Sequence, residues 1–311
     1  MALLSVAELV VQYATRSGPL RAVDDVSFDV APGETVGIVG ESGCGKSTLA
    51  RAVLRLEKPA AGRIRFDGTD IAGLSQAALR PFRRRAQMVF QDPYSSLNPR
   101  QTIRNILLTP LVTHGVGSPA EREARAETMI EKVGLPRQAL ALFPHEFSGG
   151  QRQRIGIARA LMLQPELVVC DEPVSALDLS IQAQILNLLA GMKQDFGLTY
   201  LFISHDLSVV RYFTDRTMVM YLGRIVESAP SVSLWRRPRH PYTRALIDAI
   251  PEPSRPRRAP QLSGDVPSAR HVPAGCRFHP RCPAATDQCR QVDPPMRKDA
   301  AGHELACHHP L

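Results

Sequence analysis

The chain has 311 residues, a formal net charge of +8, 44% hydrophobic residues and 22% charged residues, the composition of an ordinary globular protein. Its length allows one large domain with a smaller appended one. Met1–Gln12 lacks the basic segment of a secretory signal, and no run approaches about 18 consecutive apolar residues. These features argue against a secreted or membrane-spanning protein, so we expect a cytosolic one.

The excess positive charge is concentrated in the last quarter of the chain. Arg236–Leu311 contains 13 Lys and Arg against 7 Asp and Glu, a net charge of +6. A basic segment of this kind can contact nucleic acid or anionic lipid. Because no nucleic-acid motif accompanies it, we expect a solvated basic surface and no nucleic-acid partner.

Short apolar segments alternate with longer helical patterns along most of the chain. The predicted strands are Thr35–Val39, Gln87–Phe90, Leu167–Cys170, Tyr200–Ile203 and Thr217–Tyr221. The predicted helices are Ser47–Leu56, Pro119–Val133, Gln151–Met162 and Ile181–Gln194. Continuous apolar strands are typical of a sheet buried on both faces. The alternation therefore predicts an α/β fold with a mainly parallel sheet.

Two departures from this alternation indicate further organisation. The polar helix Pro119–Val133 lies between two strand regions, which predicts a helical insertion over roughly residues 95–160. The composition changes near residue 230, because 14 of the 26 prolines lie at or after Pro230. We predict one domain over residues 1–235 and a second over 236–311. The second contains an irregular linker at Pro251–Pro260 and ends in a small Cys-rich module from about Gly275 onwards.

A glycine-rich segment between the first predicted strand and helix fits the pattern G-x-x-x-x-G-K-[ST]. Its residues are Gly40, Glu41, Ser42, Gly43, Cys44, Gly45, Lys46, Ser47 and Thr48. Such a loop wraps phosphates with its N–H groups, while the lysine contacts the β- and γ-phosphates and the serine hydroxyl binds Mg²⁺. The strand before it and the helix after it leave little room for a chance match.

Asp171 and Glu172 end the apolar segment Leu167–Cys170. A carboxylate at the tip of a buried parallel strand can hold Mg²⁺, and a second one can polarise an attacking water. The pair also suits a helix cap or a solvated acidic turn. The phosphate-binding loop upstream favours the catalytic interpretation.

Three single residues are weaker candidates for the same site. His205 follows a predicted strand and would reach a γ-phosphate, although a histidine there is usually structural. Gln91 follows another strand, where an amide can ligate Mg²⁺ and position water. Tyr13 precedes the loop by 27 residues, and its ring can stack on adenine or simply pack.

A second glycine-rich element, Ser148–Gln151, ends 20 residues before Asp171. Together with the loop and the carboxylates it resembles the signature of ATP-binding-cassette (ABC) ATPases. The resemblance runs in order from Ala7 to about Val226. It comprises Tyr13, the Gly40–Thr48 loop, Gln91 as the Q-loop glutamine, Phe147–Gln151, Leu167–Glu172, the Ser175–Asp178 D-loop and His205 as the switch histidine. Phe147 departs from the leucine usual in the family.

The resemblance implies an ATPase core with a mainly parallel sheet and an antiparallel subdomain, and it implies a role for each of these elements. Glu172 would be the catalytic base, and His205 would contact the γ-phosphate. Ser148, Gly149, Gly150, Gln151 and Asp178 would act on ATP held by an opposing subunit. The single loop and single signature then leave half of each working site to a partner chain.

Further segments are similar to the ATPases of dipeptide and oligopeptide permeases. They are Val89–Pro99, Pro144–Gly150, Arg239–Thr243 and the tail Gly275–Pro283. Within the two-ATPase importers, the phosphate loop and the Cys170–Asp178 segment resemble the second, F-type subunit. The resemblance implies a peripheral protein on the cytoplasmic face of the inner membrane. Its partners would be a sister ATPase, two transmembrane permease subunits and, indirectly, an extracytoplasmic solute-binding protein. Docking is expected through the insertion beside Gln91.

Four cysteines lie close together near the end of the chain. Cys276, Cys282, Cys289 and Cys307 are spaced C-x5-C-x6-C-x17-C. Clustered thiols in a cytosolic chain suggest metal before disulfide, and a metal can stabilise a module with few apolar residues. The spacing is wider than usual for zinc, and free thiols are a further alternative. Nearby histidines are also candidate ligands, namely His279, His303, His308 and His309. The permease resemblance implies a [4Fe–4S] cluster.

Other functions compete with peptide import. The same ATPase role could serve nickel or another small solute. A non-transport ABC ATPase acting on nucleic acid or ribosomes would match the basic tail, but such proteins tend to carry two cassettes or a long coiled coil. A solitary P-loop kinase would leave Ser148–Gln151 and Ser175–Asp178 without a role.

Overall fold

The structure, a computed structural model, describes residues 1–16, 18–250, 267 and 270–311. Its strands are β1 (Leu4–Thr15), β2 (Gly18–Val30), β3 (Thr35–Val39), β4 (Ala61–Phe66), β5 (Thr69–Asp70), β6 (Ala86–Val89), β7 (Leu167–Asp171), β8 (Thr199–Ile203), β9 (Arg216–Tyr221), β10 (Arg224–Pro230), β11 (Arg297–Lys298) and β12 (Glu304–Leu305). The predicted linker Pro251–Pro260 lies outside the described residues.

The α-helices are α1 (Lys46–Val53), α2 (Arg80–Arg85), α3 (Ile103–His114), α4 (Pro119–Lys132), α5 (Gly149–Leu161), α6 (Leu179–Phe196), α7 (Leu207–Phe213), α8 (Ser231–Arg236), α9 (Pro241–Asp248) and α10 (Asp287–Gln291). Short 3-10 helices cover Arg137–Ala141, Pro144–Glu146 and His279–Arg281. No helix of the described residues is both long and apolar enough to cross a membrane.

The chain divides into two compact units. Unit one contains Met1–Val30, Glu34–Ala72 and Phe202–Leu311, and unit two contains Ala31–Gly33 and Gly73–Leu201. The division between 1–235 and 236–311 remains a prediction.

Unit one contains two sheets. In the first, β1 lies between β2 and β4 and pairs with both in antiparallel fashion, and β5 follows β4. In the second, the order is β11, β12, β10, β9 and β3. Strands β3 and β9 are parallel, whereas β10 runs antiparallel to its neighbours β9 and β12. Every residue of β3 is buried, as expected for a central strand.

Unit two combines parallel strands with helices. Strand β7 lies between β8 and β6, and β6 pairs with β7 in parallel. Helix α4 begins with a capping box, in which the Ser118 side chain accepts from the Glu121 N–H and the Glu121 carboxylate accepts from the Ser118 N–H. Gly134 follows α4 at φ 77°, consistent with the predicted end of this helix.

The predicted α/β class is confirmed, and the predicted strands and helices agree with the structure to within a few residues. The five predicted strands correspond to β3, β6, β7, β8 and β9, and the four predicted helices to α1, α4, α5 and α6. The local patterns missed the antiparallel strands β1, β2 and β4. Their register is interrupted by bulges, for example between Ala7 and Val10 of β1, so their apolar residues do not alternate regularly.

One buried carboxylate ties β10 to the segment before α9. Glu227 is fully buried and accepts hydrogen bonds from the N–H groups of Arg239 at 2.7 Å and His240 at 3.0 Å. Its Oε1 lies 2.7 Å from His303 Nε2. Burial acts to raise the pKa of Glu227, but hydrogen bonds from His303 and from the two N–H groups hold it below its ordinary value of 4.5.

A lowered carboxyl pKa contributes stability that is present above the unfolded-state pKa and lost as pH falls towards the folded one. We therefore expect the free energy of unfolding to fall as pH drops below 4.5. Glu227→Gln should lower this free energy by about 3 kcal/mol at neutral pH and flatten the acid slope. Urea unfolding at a series of pH values measures both quantities.

Glu304→Gln is the matched control, because Glu304 forms a partly exposed ion pair with Lys298 at 3.0 Å. It should change the free energy of unfolding by less than about 1 kcal/mol. If the free energy of unfolding of Glu227→Gln fell with decreasing pH as steeply as that of the wild type, other carboxyl groups would be responsible for the loss of stability in acid.

Candidate active site

The phosphate-binding loop joins β3 to α1 in unit one. Gly40 follows β3, and Gly45 precedes the first residue of α1. Gly45 has a φ of 108°, and a Cβ there would lie 2.1 Å from the carbonyl oxygen of Ala22. Since any side chain would collide with this backbone, the path of the loop requires glycine at this position.

The lysine of the loop is buried, and main-chain oxygens hold its ammonium group. Lys46 Nζ donates to Gly40 O at 2.8 Å and to Glu41 O at 3.0 Å. This charge stands at the N-terminus of α1, where the helix dipole adds positive potential. The loop therefore combines a fixed cation with backbone N–H groups, an arrangement that suits a phosphate.

The other predicted residues of the loop lie in the same turn or in the start of α1. Burial raises the pKa of the Cys44 thiol, so Cys44 is a neutral packing group here. The remaining residues are Ser42, Gly43, Ser47 and Thr48.

Two residues that sequence reasoning assigned no role bind the loop at Glu41. The Tyr242 hydroxyl accepts the Glu41 N–H at 2.9 Å. The Arg281 guanidinium donates to both Glu41 carboxylate oxygens, at 2.7 and 2.9 Å. Tyr242 and Arg281 follow Glu41 by 201 and 240 residues, a separation for which local sequence carries no signal.

The predicted catalytic carboxylates end β7 in unit two. Asp171 is the last residue of β7 and is buried. Glu172 follows at φ 46°, a conformation that costs a non-glycine residue about 1 kcal/mol. Gln91 Nε2 donates to Glu172 Oε2 at 3.1 Å. The structure thus brings together the predicted base and the predicted water-positioning amide.

The signature residues form the N-terminus of α5. Ser148 caps this helix: its hydroxyl accepts the Gln151 N–H at 3.4 Å, and Gln151 Oε1 accepts the Ser148 N–H at 2.9 Å. A Cβ at Gly150 would lie 2.6 Å from Ile181 Cγ2, and one at Gly149 would lie 3.6 Å from Leu177 Cδ2. Gly150 therefore allows the first turn of α5 to approach Ile181 at the start of α6, whereas Gly149 has room for a Cβ. Ser148 is exposed.

The D-loop residues form the turn between β7 and α6. Ser175 Oγ donates to the Glu172 carbonyl oxygen at 3.1 Å. Asp178 is the exposed N-cap residue of α6, and its carbonyl oxygen accepts from the Gln182 N–H at 2.8 Å. The turn therefore connects the carboxylate strand directly to the helix that packs on the signature.

His205 and Tyr13 both lie in unit one. His205 is exposed just after β8. Tyr13 is half-buried in β1 opposite Leu20 of β2. Their assigned contacts with the γ-phosphate and adenine remain predictions.

The four C-terminal thiols line one small cavity in unit one. Burial raises the pKa of Cys276 to about 11, and it also raises the pKa of Cys282 and of Cys307. The remaining side of the cavity is formed by Cys289, Phe278 and several histidines. No group of three or more His, Cys, Asp or Glu side chains in the described part of the chain is arranged to hold a metal ion.

A buried polar atom at this cavity bears on what could bind there. His240 lines the cavity and is 1% exposed. Its Nδ1 accepts the Tyr242 N–H at 3.0 Å, while its Nε2 has no hydrogen-bond partner among the described residues. Burial lowers the pKa of His240 to about 4. Four thiols and one neutral imidazole form a donor set that suits a soft metal or an iron–sulfur cluster.

Comparison with known proteins identifies two matching families. Residues 23–175 match the family described as ABC transporter, and residues 226–289 match the one described as oligopeptide/dipeptide transporter, C-terminal region. A putative peptide import ATP-binding protein of Brucella ovis is 55% identical over 98% of this chain and 97% of its own length. The oligopeptide transport ATP-binding protein AppF of Bacillus subtilis is 51% identical over 95% of this chain and 92% of its own.

Solved structures are similar to the larger part of the chain. The ATP-binding cassette MJ0796, in a dimeric post-hydrolysis state bound to ADP and phosphate, has a TM-score of 0.68 and 29% identity. The match covers 73% of this chain and 98% of that one.

The close approach at Gly45 predicts a difference between two glycines of the same loop. Gly45→Ala should abolish nucleotide binding, because its Cβ would force Ala22 and the loop apart. Gly43 also has a positive φ, of 78°, but a Cβ there meets nothing within 4 Å. Gly43→Ala should therefore cost only about 1 kcal/mol of backbone strain and keep most of the binding. Titration with a fluorescent ATP analogue compares the two, and equal losses would contradict the steric argument.

Proposed function

This chain belongs to the ABC family of transporter ATPases, and we propose that it powers a membrane importer of di- and oligopeptides. The observation that carries the proposal is similarity along nearly the full chain. A relative named for peptide import and one named for oligopeptide transport share 55% and 51% identity with it over 98% and 95% of its length. Their similarity includes the C-terminal region that accompanies the ATPase segment.

The proposed ATP contacts begin at the phosphate-binding loop. Lys46 is the cation for the β- and γ-phosphates, and the loop N–H groups cradle the phosphate oxygens. Tyr13 stacks on adenine. Ser47, Asp171 and Gln91 are the oxygen donors for Mg²⁺, which when bound neutralises phosphate charge.

The proposed hydrolytic step depends on Glu172. Its carboxylate accepts a proton from the attacking water, and the Gln91 amide, at 3.1 Å from that carboxylate, orients both. His205 contacts the γ-phosphate. The distance between Gln91 and Glu172 supports this pairing of an amide with a base.

A second ATPase subunit completes the proposed site. Ser148 and Gln151 cap α5, and the N-terminus of this helix favours negative charge, so the exposed signature suits a γ-phosphate presented by another chain. Asp178 is proposed to act at the same interface. The dimeric state of the similar cassette MJ0796 supports such pairing. We propose that the partner here is a non-identical sister ATPase.

Glu172→Gln tests the role of the base. The variant should keep ATP affinity but lower turnover at least about 100-fold, because the amide cannot accept the proton. Turnover is measured in the assembled ATPase pair, with the corresponding base of the sister subunit also replaced. The control is Glu166→Gln at the other end of β7, where Glu166 pairs with Arg85 on the surface. Full hydrolysis by the doubly disabled pair would overturn the assignment.

The proposed membrane partners are two permease subunits that dock on the helical segment next to Gln91. Tyr94, in the turn between Gln91 and this segment, is 59% exposed, and the Arg152 guanidinium lies 4.0 Å above its ring. The chain would then be a peripheral protein on the cytoplasmic face of the inner membrane. Co-expression with the candidate permease genes tests this placement, and failure to co-purify with membrane subunits would favour a non-transport ATPase.

The four thiols are proposed to hold a [4Fe–4S] cluster, with Zn²⁺ as the alternative. The donor set at the cavity supports the proposal: Cys276, Cys282, Cys289 and Cys307 line it together with His240. Since the thiols are not arranged as a metal site in the structure, binding has to draw them together. The cluster would contribute folding energy to a module with little apolar core.

Anaerobic purification tests the nature of this site. We expect iron and acid-labile sulfide with absorption near about 400 nm. Cys282→Ser should lose both, whereas Cys170→Ala, in β7 of unit two, should keep them. Stoichiometric zinc without iron would show that the thiols form a zinc site and not a cluster. Absence of both metals would show that the thiols are free.

A further inference from the structure

The phosphate-binding loop is held from outside by two side chains of the C-terminal region. Glu41, the second residue of the loop, has its N–H bound by the Tyr242 hydroxyl at 2.9 Å. Its carboxylate is bound by Arg281 at 2.7 and 2.9 Å. These three hydrogen bonds, here called the Glu41 clamp, fix both the backbone and the side chain of one loop residue.

Both holding side chains are themselves buried and packed against aromatic rings. The Tyr242 ring is fully buried, with its centroid 4.7 Å from that of Tyr221 and 5.4 Å from that of Phe278. The Arg281 side chain is 5% exposed, and its guanidinium carbon lies 5.9 Å from the Tyr221 ring centroid. Side chains already fixed by packing lose little further freedom when they bind a loop, so the clamp is pre-organised.

The clamp acts on the residue that also positions the catalytic cation. Lys46 Nζ donates to the carbonyl oxygens of Gly40 and Glu41. The Gly40 carbonyl belongs to the same peptide group as the Glu41 N–H that Tyr242 binds. A shift of Glu41 would therefore move the acceptors of the Lys46 ammonium group. The position of Lys46 is coupled in this way to Arg281 and Tyr242.

Electrostatics gives the clamp a second consequence. Glu41 places a carboxylate in a loop that is built to receive phosphates, and an unpaired carboxylate there would repel them. Arg281 neutralises this charge through a bidentate pair, with N–O distances of 2.7 and 2.9 Å.

Arg281 belongs to the cysteine-bearing segment. It lies between Cys276 and Cys282 in the short 3-10 helix His279–Arg281, with its N–H bound to Phe278 O at 3.0 Å. The next residue, Cys282, donates its N–H to His279 O at 3.3 Å. The Arg281 side chain thus links the conformation of this segment to the position of Glu41.

We propose that Arg281 and Tyr242 are positioning residues for the phosphate-binding loop, through which the C-terminal region sets the affinity for ATP. The effect on affinity rests on the proposed ATPase function, whereas the restraint on the loop does not. The two are therefore measured separately.

The first measurement is the dissociation constant for ATP. Arg281→Met should raise it about tenfold, because a charge-assisted bidentate contact is lost and Glu41 becomes unpaired. Arg281→Lys, which keeps the charge, should recover part of the affinity. In Glu41→Gln/Arg281→Met the repelling charge is gone, so the double variant should bind ATP more tightly than Arg281→Met alone. The proposal would be overturned if the loss of ATP affinity in the double variant equalled the sum of the losses in Glu41→Gln and Arg281→Met.

The second measurement is hydrogen exchange of peptides that span residues 40–46, without nucleotide. Exchange should increase in Arg281→Met and in Tyr242→Phe, which removes only the hydroxyl and keeps the ring in its buried cluster. Arg290→Met is the control in the same segment, because Arg290 is 65% exposed and forms an ion pair with exposed Asp287 at 3.7 Å. Unchanged exchange in Tyr242→Phe, with the fold intact, would overturn the clamp.

The two measurements separate failure of the clamp from failure of the proposed function. A wild-type chain that binds no ATP would refute the proposed function, while the exchange data would still decide whether the clamp restrains the loop. A lowered melting temperature alone does not support the proposal. Arg281→Met must also alter loop exchange or ATP affinity at a temperature at which the variant is folded. Loss of thermal stability with both of these unchanged would reduce Arg281 to a purely structural residue and overturn the proposal.

Discussion

The buried ammonium group of Lys46 is the interaction on which the rest of the site depends. A cation removed from water must be compensated, and here the compensation comes from two carbonyl oxygens of its own loop, those of Gly40 and Glu41. Those carbonyls can face the lysine only because the loop follows a path that requires glycine at position 45, against the backbone of Ala22. The phosphate-binding arrangement thus depends on the close approach of the backbone at Gly45 to the backbone at Ala22.

The same constraint explains why distant parts of unit one converge on the loop. The Gly223 N–H donates to the Cys44 carbonyl oxygen at 2.8 Å, and Tyr242 and Arg281 bind Glu41. The C-terminal region is therefore part of the environment of the nucleotide loop. Relatives that share this region along with the ATPase segment are expected to share this support.

Sequence reasoning predicted the parts of the fold and site that depend on local pattern. Strand β3 is central and apolar throughout, so its bounds Thr35–Val39 were predicted without error. Helix α4 has a strong capping box at Ser118 and ends before Gly134, and its bounds were predicted to within one residue. Strand β1 was missed because Glu8, at φ 52°, interrupts the alternation of apolar residues. The Arg281–Glu41 pair was missed because the residues that form it are 240 positions apart.

ATP turnover in the assembled importer tests the central claim most directly. The rate is compared for this chain alone, for the chain with its sister ATPase and permease subunits in proteoliposomes, and for that complex with a peptide-loaded binding protein. We expect low turnover for the chain alone and peptide-stimulated turnover in the complex, because in the proposed pairing each site takes its signature from a second subunit. Full, peptide-independent turnover by the isolated chain would contradict it.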